Sequence, residues 1–280
     1  VSIATVNRVL NDRGGVSLVT HEKVIRAAKQ LAVPRLLPDV RRGLTRFDVV
    51  LARSRTPFFQ RLDLALQRFM QLVDRRIVVH RHEFSPEDDE LTAAFIRRPP
   101  HRRDGLIVAI HDTPVLREAV EHASRQGVPV VTLMSDISDV SRLHYAGIDN
   151  LHAGRTAGHF MGRLVQQEGL LLVLTNDLTY RAHRDRTAGF MDAIRERFTH
   201  LQCMPTMPCH DDPDRTFQVV DEALKPGNTM PIVGIYHSGA GSAGIAQALQ
   251  RHGGSGNLVW VGHELSDEHR ALLRQGTMDL

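Results

Sequence analysis

Three groups of side chains in this 280-residue sequence are spaced so that their chemistry could matter. The first is Val1 to Asn11. Ser2 suits a helix N-cap, and Val1 can staple against Val6 across it. Val6, Val9 and Leu10 fall at i, i+3 and i+4, which leaves Ile3, Ala4, Thr5, Asn7, Arg8 and Asn11 on or beside an opposite face that carries no acid. An arginine there can read guanine N7 and O6 bidentately, while Ser and Thr hydroxyls fix register on phosphates. The second group follows apolar runs. Asp136, in Met134-Ser135-Asp136, can accept hydrogen bonds from the hydroxyls of a polyol, and Asp149-Asn150 can do the same or cap the next helix. The third is Gly239-Ala240-Gly241-Ser242-Ala243-Gly244, with Glu264 about 20 residues on, formally a dinucleotide fingerprint. His237 and Ser238 separate it from its strand, it comes late in the chain, and close helix packing explains its glycines as well.

No other constellation points to catalysis. Cys203, Cys209, His210 and Asp211 match no common zinc spacing, and Pro205 and Pro208 make that segment a loop. No Ser-His-Asp or paired-carboxylate arrangement is identifiable from spacing. We expect no enzyme, no cofactor and no metal.

Charge placement says more than total charge. Residues 1–46 hold nine Lys or Arg against three acids, a net +6, while the rest of the chain is −3 and the whole is +3. A cationic head on a mildly anionic body suits a module that neutralises phosphates. No apolar run approaches the roughly 20 residues of a membrane helix, and the start lacks the layout of a secretory signal. Two cysteines fit a reducing compartment, so a cytoplasmic location is expected.

The elements that must position these groups follow from periodicity. A turn cluster at 11–15 precedes a second helix from Val16-Ser17 to Gln30, with Val24, Ala27, Ala28 and Leu31 as its apolar face. Residues 34–46 are a basic, proline-punctuated linker. From Phe47 short apolar runs alternate with helical periods. Strands are expected at Phe47–Ala52, Ile77–His80, Leu106–Ile110, Val130–Leu133, Tyr145–Ile148, Leu170–Leu174, Ile232–Tyr236 and Leu258–Val261. Strand-helix-strand repetition of this kind means α/β architecture with doubly wound parallel sheets. The expected boundaries are a head at 1–33, a hinge at 34–46, a first lobe at 47–168 and a second lobe at 169–280.

The run Val-Ser-x-Ala-Thr-Val-x-Arg-Val-Leu-Asn resembles the recognition helix of the lac repressor family of transcription regulators. From Phe47 onward the order of landmarks is similar to the sugar-binding body that such repressors share with periplasmic binding proteins. The resemblance implies a partial all-α helix-turn-helix head on a two-lobed body, with further segments expected before Val1 and after Leu280. It implies that Ile3, Ala4 and Arg8 reach base edges, that Ser2, Thr5 and Asn11 hold phosphates, and that Leu44 is a minor-groove wedge in an atypical hinge. It also implies that Phe58 or Phe59 stacks on a sugar ring and that Arg186, in the family's Arg-x-x-Gly-Phe, donates to ring and hydroxyl oxygens. His237 stands where the family often has Asn or Asp, and Glu264 where it usually has Asp. The implied partners are operator DNA, a sugar, sugar alcohol or sugar phosphate effector, and a second copy in a homodimer. The rival readings are a stand-alone solute-binding protein and, from Gly239, Gly241 and Gly244, an NAD-dependent enzyme.

Overall fold

Ser2 begins the first helix, α1 (Ile3–Leu10), by accepting from the Thr5 amide at 3.2 Å, which satisfies one of the donors a helix start leaves open. Ser17 does the same for α2 (Leu18–Gln30). Val6, Val9 and Leu10 of α1 pack with Val16, Val24 and Ile25. The buried face of α2 is His21, Val24, Ile25 and Ala28, so Ala27 and Leu31 point outward, a rotation from the expected face that brings Ile25 inside. Val1 stays exposed.

The computed structural model describes residues 1–11, 13–33, 44–54, 56–74, 76–227, 230–254 and 256–280. Most of the linker lies outside the described residues. The chain divides into two units, Val1–Arg46 with Asp74–Val78, and Phe47–Val73 with Val79–Leu280. Among the described residues no helix is long and apolar enough to cross a membrane.

The larger unit is α/β and holds two sheets. The first has the order β2-β1-β3-β4-β5, from β1 (Thr45–Ala52), β2 (Ile77–Phe84), β3 (Gly105–Ala109), β4 (Val130–Leu133) and β5 (His144–Ala146), and the pairings from β1 through β3 and β4 to β5 are parallel. The second has the order β10-β9-β6-β7, from β6 (Gly169–Thr175), β7 (Leu201–Cys203), β9 (Ile232–His237) and β10 (Val259–Val261), with β8 (Met207–Pro208) also on β6. Its pairings are parallel too. The strands β7 and β8 were not expected, because three and two residues carry no readable alternation.

Helices cover both faces, which is why the strands read as continuous apolar runs. Val50, Leu106 and Val108 pack with α4 (Asp89–Arg97) and α5 (Pro114–Arg125), while Val49 and Leu51 face Leu66 of α3 (Pro57–Leu72). In β6, Leu171 and Val173 meet Met161 of α6 (Asn150–Leu164) and Phe190 of α7 (Arg181–Arg197). Leu172 and Leu174 meet Val220 of α8 (Pro213–Ala223) and Ile245 of α9 (Ser242–Arg251). α6 buries Ala157 and Met161 in the core of the second sheet.

Gly244 fits the close-packing account of the glycine run. A Cβ there would lie 2.0 Å from the Pro213 carbonyl, so the glycine lets α9 press against α8.

Candidate functional site

Ligands of open α/β sheets sit beyond the carboxyl ends of the strands. At those ends the side chains converge on Arg186, in the first turns of α7. Its Nε donates to Asn150 Oδ1 at 2.8 Å, and its Nη1 to the Ser238 carbonyl at 3.1 Å. The guanidinium is thereby held in one plane, and Nη2 has no protein acceptor among the described residues. Asn150 is itself fixed, its amide donating to the Tyr145 hydroxyl at 3.0 Å, and that hydroxyl lies 2.8 Å from the Met134 carbonyl. Backbone geometry completes the support, because a Cβ at Gly154 would fall 2.0 Å from the Arg186 carbonyl. The α6 glycine is what allows the arginine's own turn to approach.

A neutral polar wall surrounds Arg186. Ser238 Oγ lies 2.8 Å from Thr175 Oγ1 and 3.2 Å from His183 Nδ1, and the Tyr236 hydroxyl lies 2.7 Å from His263 Nε2. Burial pushes the His183 ring down to about 3, with the Arg186 charge adding to it. Burial followed by Arg186 likewise takes His263 to about 3, and burial followed by His269 takes His237 to about 4. All three are neutral near pH 7. His237 is buried, and among the described residues neither ring nitrogen has a well-aligned hydrogen-bond partner.

Contacts from the first sheet close onto this wall. The Asp112 amide donates to the Thr179 carbonyl at 2.9 Å, and the Ala182 amide to Ser135 Oγ at 3.1 Å. Asp112 also pairs with Arg117 at 2.6 Å, accepts from Ser138, and pairs with Arg184. Burial alone would raise its carboxyl, but hydrogen bonds from Arg117, Ser138 and Arg184 outweigh that and hold it below the usual range. Farther out, Arg61 of α3 reaches Glu264 at 3.0 Å and lies over the Phe58 ring at 6.0 Å.

The expected ligand residues therefore separate. Arg186 and His237 belong to the wall, and Glu264 exerts a charge on Arg186 while it pairs with Arg61. Phe58 sits at the start of α3, edge-on to Phe59 with centroids 5.9 Å apart. Asp136 is engaged by Thr132 at 2.7 Å, Arg142 at 2.5 Å and Arg181 at 3.6 Å. Asp149 caps α6, accepts from the His152 amide at 2.9 Å and is well exposed. Its neighbour Asn150 is the residue that meets Arg186. Tyr145, Ser238 and His263 were missed because their roles depend on approaches between distant segments. In α1, Ser2, Ile3, Ala4, Asn7, Arg8 and Asn11 are exposed, and Thr5 is half-buried. Leu44 is exposed beside the undescribed hinge.

Two parallel sheets with an arginine-centred polar wall at their carboxyl ends define a two-lobed binding protein, a class that holds ligands between its lobes. Residues 101–280 match the family model described as periplasmic binding protein domain, and the chain belongs to that family. The matched residues begin well after α1 and α2.

Similar solved structures share the fold at low identity. An ABC transporter solute binding protein from Agrobacterium vitis with bound D-fucose has a TM-score of 0.74 at 19% identity, covering 84% of this chain and 81% of that one. The XylFII molecule gives 0.73 at 20%, covering 83% and 85%. A periplasmic solute binding protein from Actinobacillus succinogenes with bound D-allose gives 0.69 at 16%, covering 84% and 83%. The Agrobacterium vitis and Actinobacillus succinogenes proteins are solute binding proteins. Comparison with curated protein sequences yields no match.

Proposed function

We propose that the larger unit binds a small polyhydroxylated ligand of the sugar class, and that Arg186 is its principal donor. The observation that carries this is the locked guanidinium, fixed by Asn150 and the Ser238 carbonyl with Nη2 unengaged among the described residues. A rigid, permanently charged fork suits ring and hydroxyl oxygens. Neutral histidines and hydroxyls beside it suit an uncharged polyol better than an anion. Similar structures with bound D-fucose and D-allose support the same class. His237 supplies a further donor or acceptor, Phe58 or Phe59 a ring face, and Glu264 a carboxylate once it leaves Arg61. Asp136 and Asp149 hold the frame.

A thermal-shift panel of sugars, sugar alcohols and sugar phosphates tests this, since ligand bound to the folded state raises its stability by mass action. The best ligand should stabilise the native chain, and Arg186→Ala should abolish that shift. An undiminished shift in the variant would refute the assignment.

A second reading is favoured by α1. Its exposed face presents Ser2, Ile3, Ala4, Asn7, Arg8 and Asn11 without an acid, within the +6 stretch. On that reading the chain is a lac repressor family regulator, a cytoplasmic homodimer on a near-palindromic operator, with the ligand shifting the population of DNA-binding states. Ile3, Ala4 and Arg8 then read bases, Ser2, Thr5 and Asn11 hold phosphates, and Leu44 enters the minor groove. The comparisons support the binding body, which serves a stand-alone binding protein equally well. Salt-sensitive, ligand-modulated binding to genomic fragments would favour the regulator, and its absence the stand-alone protein.

A further inference from the structure

A second polar cluster lies at the opposite edge of the first sheet. Asp48 occupies the first half of β1, His82 the second half of β2, and His101 and Arg103 precede β3. His80 and His82 are two residues apart in β2 and share a face, the one that β1 presents at Asp48. His101 Nε2 is 2.8 Å from Asp48 Oδ1, and His82 Nε2 is 3.5 Å from the same oxygen. One ligand atom from each of Asp48, His82 and His101 falls within 4.8 Å of the others.

The hydrogen bonding of this cluster is incomplete in a specific way. Asp48 has no exposed surface, yet among the described residues its Oδ2 makes no well-aligned hydrogen bond, although Arg103 Nε stands 2.9 Å away. His101 and Arg103 suffice to neutralise this carboxylate. They do not account for His82, whose Nε2 is buried, has no well-aligned hydrogen-bond partner among the described residues, and lies 3.5 Å from the oxygen His101 already uses. Two imidazole nitrogens aimed at one carboxylate oxygen are well placed for an ion between them. In a tetrahedral site with bonds of about 2.0 Å, ligand atoms sit about 3.3 Å apart. The observed separations bracket that value.

We propose that Asp48, His82 and His101 form a site for a divalent transition-metal ion of the Zn2+ type. Two imidazoles and one carboxylate oxygen are a borderline donor set that suits such ions over Ca2+ or Mg2+. Arg103, on the second carboxylate oxygen, keeps Asp48 monodentate, as an outer partner orients a ligating carboxylate. Arg103 is in turn held by the Phe95 carbonyl at 3.0 Å and by that residue's ring at 5.4 Å. The His82 and His101 side chains are 24% and 28% exposed, so an ion has a path from solvent. The ion would tie β2 and the segment after α4 to β1.

The test is calorimetric titration of the chelator-treated full chain with Zn2+, with Co2+ as a visible-absorption reporter of coordination. One ion per chain and four-coordinate Co2+ bands are expected. His82→Ala and His101→Ala should each weaken Zn2+ binding at least about tenfold, and His144→Ala, at an exposed position outside the cluster, should leave it unchanged. His101→Asn, in a partly exposed loop, serves if His82→Ala fails to fold. No stoichiometric Zn2+ binding, or binding unchanged in the folded His101 variants, would overturn the proposal.

Discussion

At the scale of single residues, Asn150 positions Arg186 and does not simply neighbour it. Asn150→Ala leaves the guanidinium Nε without its acceptor and the Tyr145 hydroxyl without a donor. A buried, charge-assisted hydrogen bond is worth about 1.5–3 kcal/mol, so urea unfolding should report a loss of that order, with a weaker ligand shift. The depressed histidines predict a pH dependence with a definite sign. A histidine kept neutral in the fold lets the unfolded chain bind a proton below about pH 6.5 that the folded chain refuses. The folded values of about 3 for His183 and His263 and about 4 for His237 set the lower end of that window. Stability is therefore full above pH 6.5 and declines as pH falls toward 4, with up to about three protons taken up on unfolding at pH 5. The depressed Asp112 carboxyl adds a loss at still lower pH. Urea midpoints at pH 7.5 and pH 5 measure this. His237→Leu, which removes one of the three depressed imidazoles, should shrink the difference.

At the scale of elements, the pairing of α6 with α7 carries the site. Gly154 and Gly189 make it possible, since a Cβ on Gly189 would lie 2.1 Å from the Leu151 carbonyl. Gly154→Ala should destabilise the fold by about 1–3 kcal/mol and displace Arg186. Gly244→Ala should cost a similar amount by parting α8 from α9, yet leave the ligand shift intact when both variants are compared at equal stability. Thermal shifts with and without ligand distinguish the two. Much of this was readable in advance. Apolar runs such as Val130–Leu133 located strands because burial on both faces leaves little room for polar residues. Arg186 stood out because its local motif is contiguous. Asn150 could not be chosen over Asp149, because either side chain can cap a helix and only the approach of α7 gives one of them a partner. Likewise a helix between two strands shows its apolar face but not which core that face meets.

At the scale of the whole larger unit, the two sheets are joined by contacts the protein makes with itself. The Asp112 amide and carboxylate reach Thr179 and Arg184, Ser135 meets the Ala182 amide, and Arg61 meets Glu264. These differ in worth. The Arg61–Glu264 pair is 46% and 31% exposed, and pairs of that kind contribute about 0–1 kcal/mol, so Glu264→Gln should barely move the melting temperature. Asp112 is fully buried, and Asp112→Ala should cost about 3 kcal/mol by stranding Arg117 and Arg184, the lower end for a broken buried pair because both arginines reach solvent. Denaturant unfolding of the two variants side by side checks the contrast. The Asp112 linkage should also bear on kinetics. If the lobes are latched before any solute arrives, entry waits for a spontaneous unlatching. The observed association rate should then level off at high solute concentration, at a ceiling set by the protein's own motion, and Asp112→Ala should lift that ceiling in stopped-flow traces.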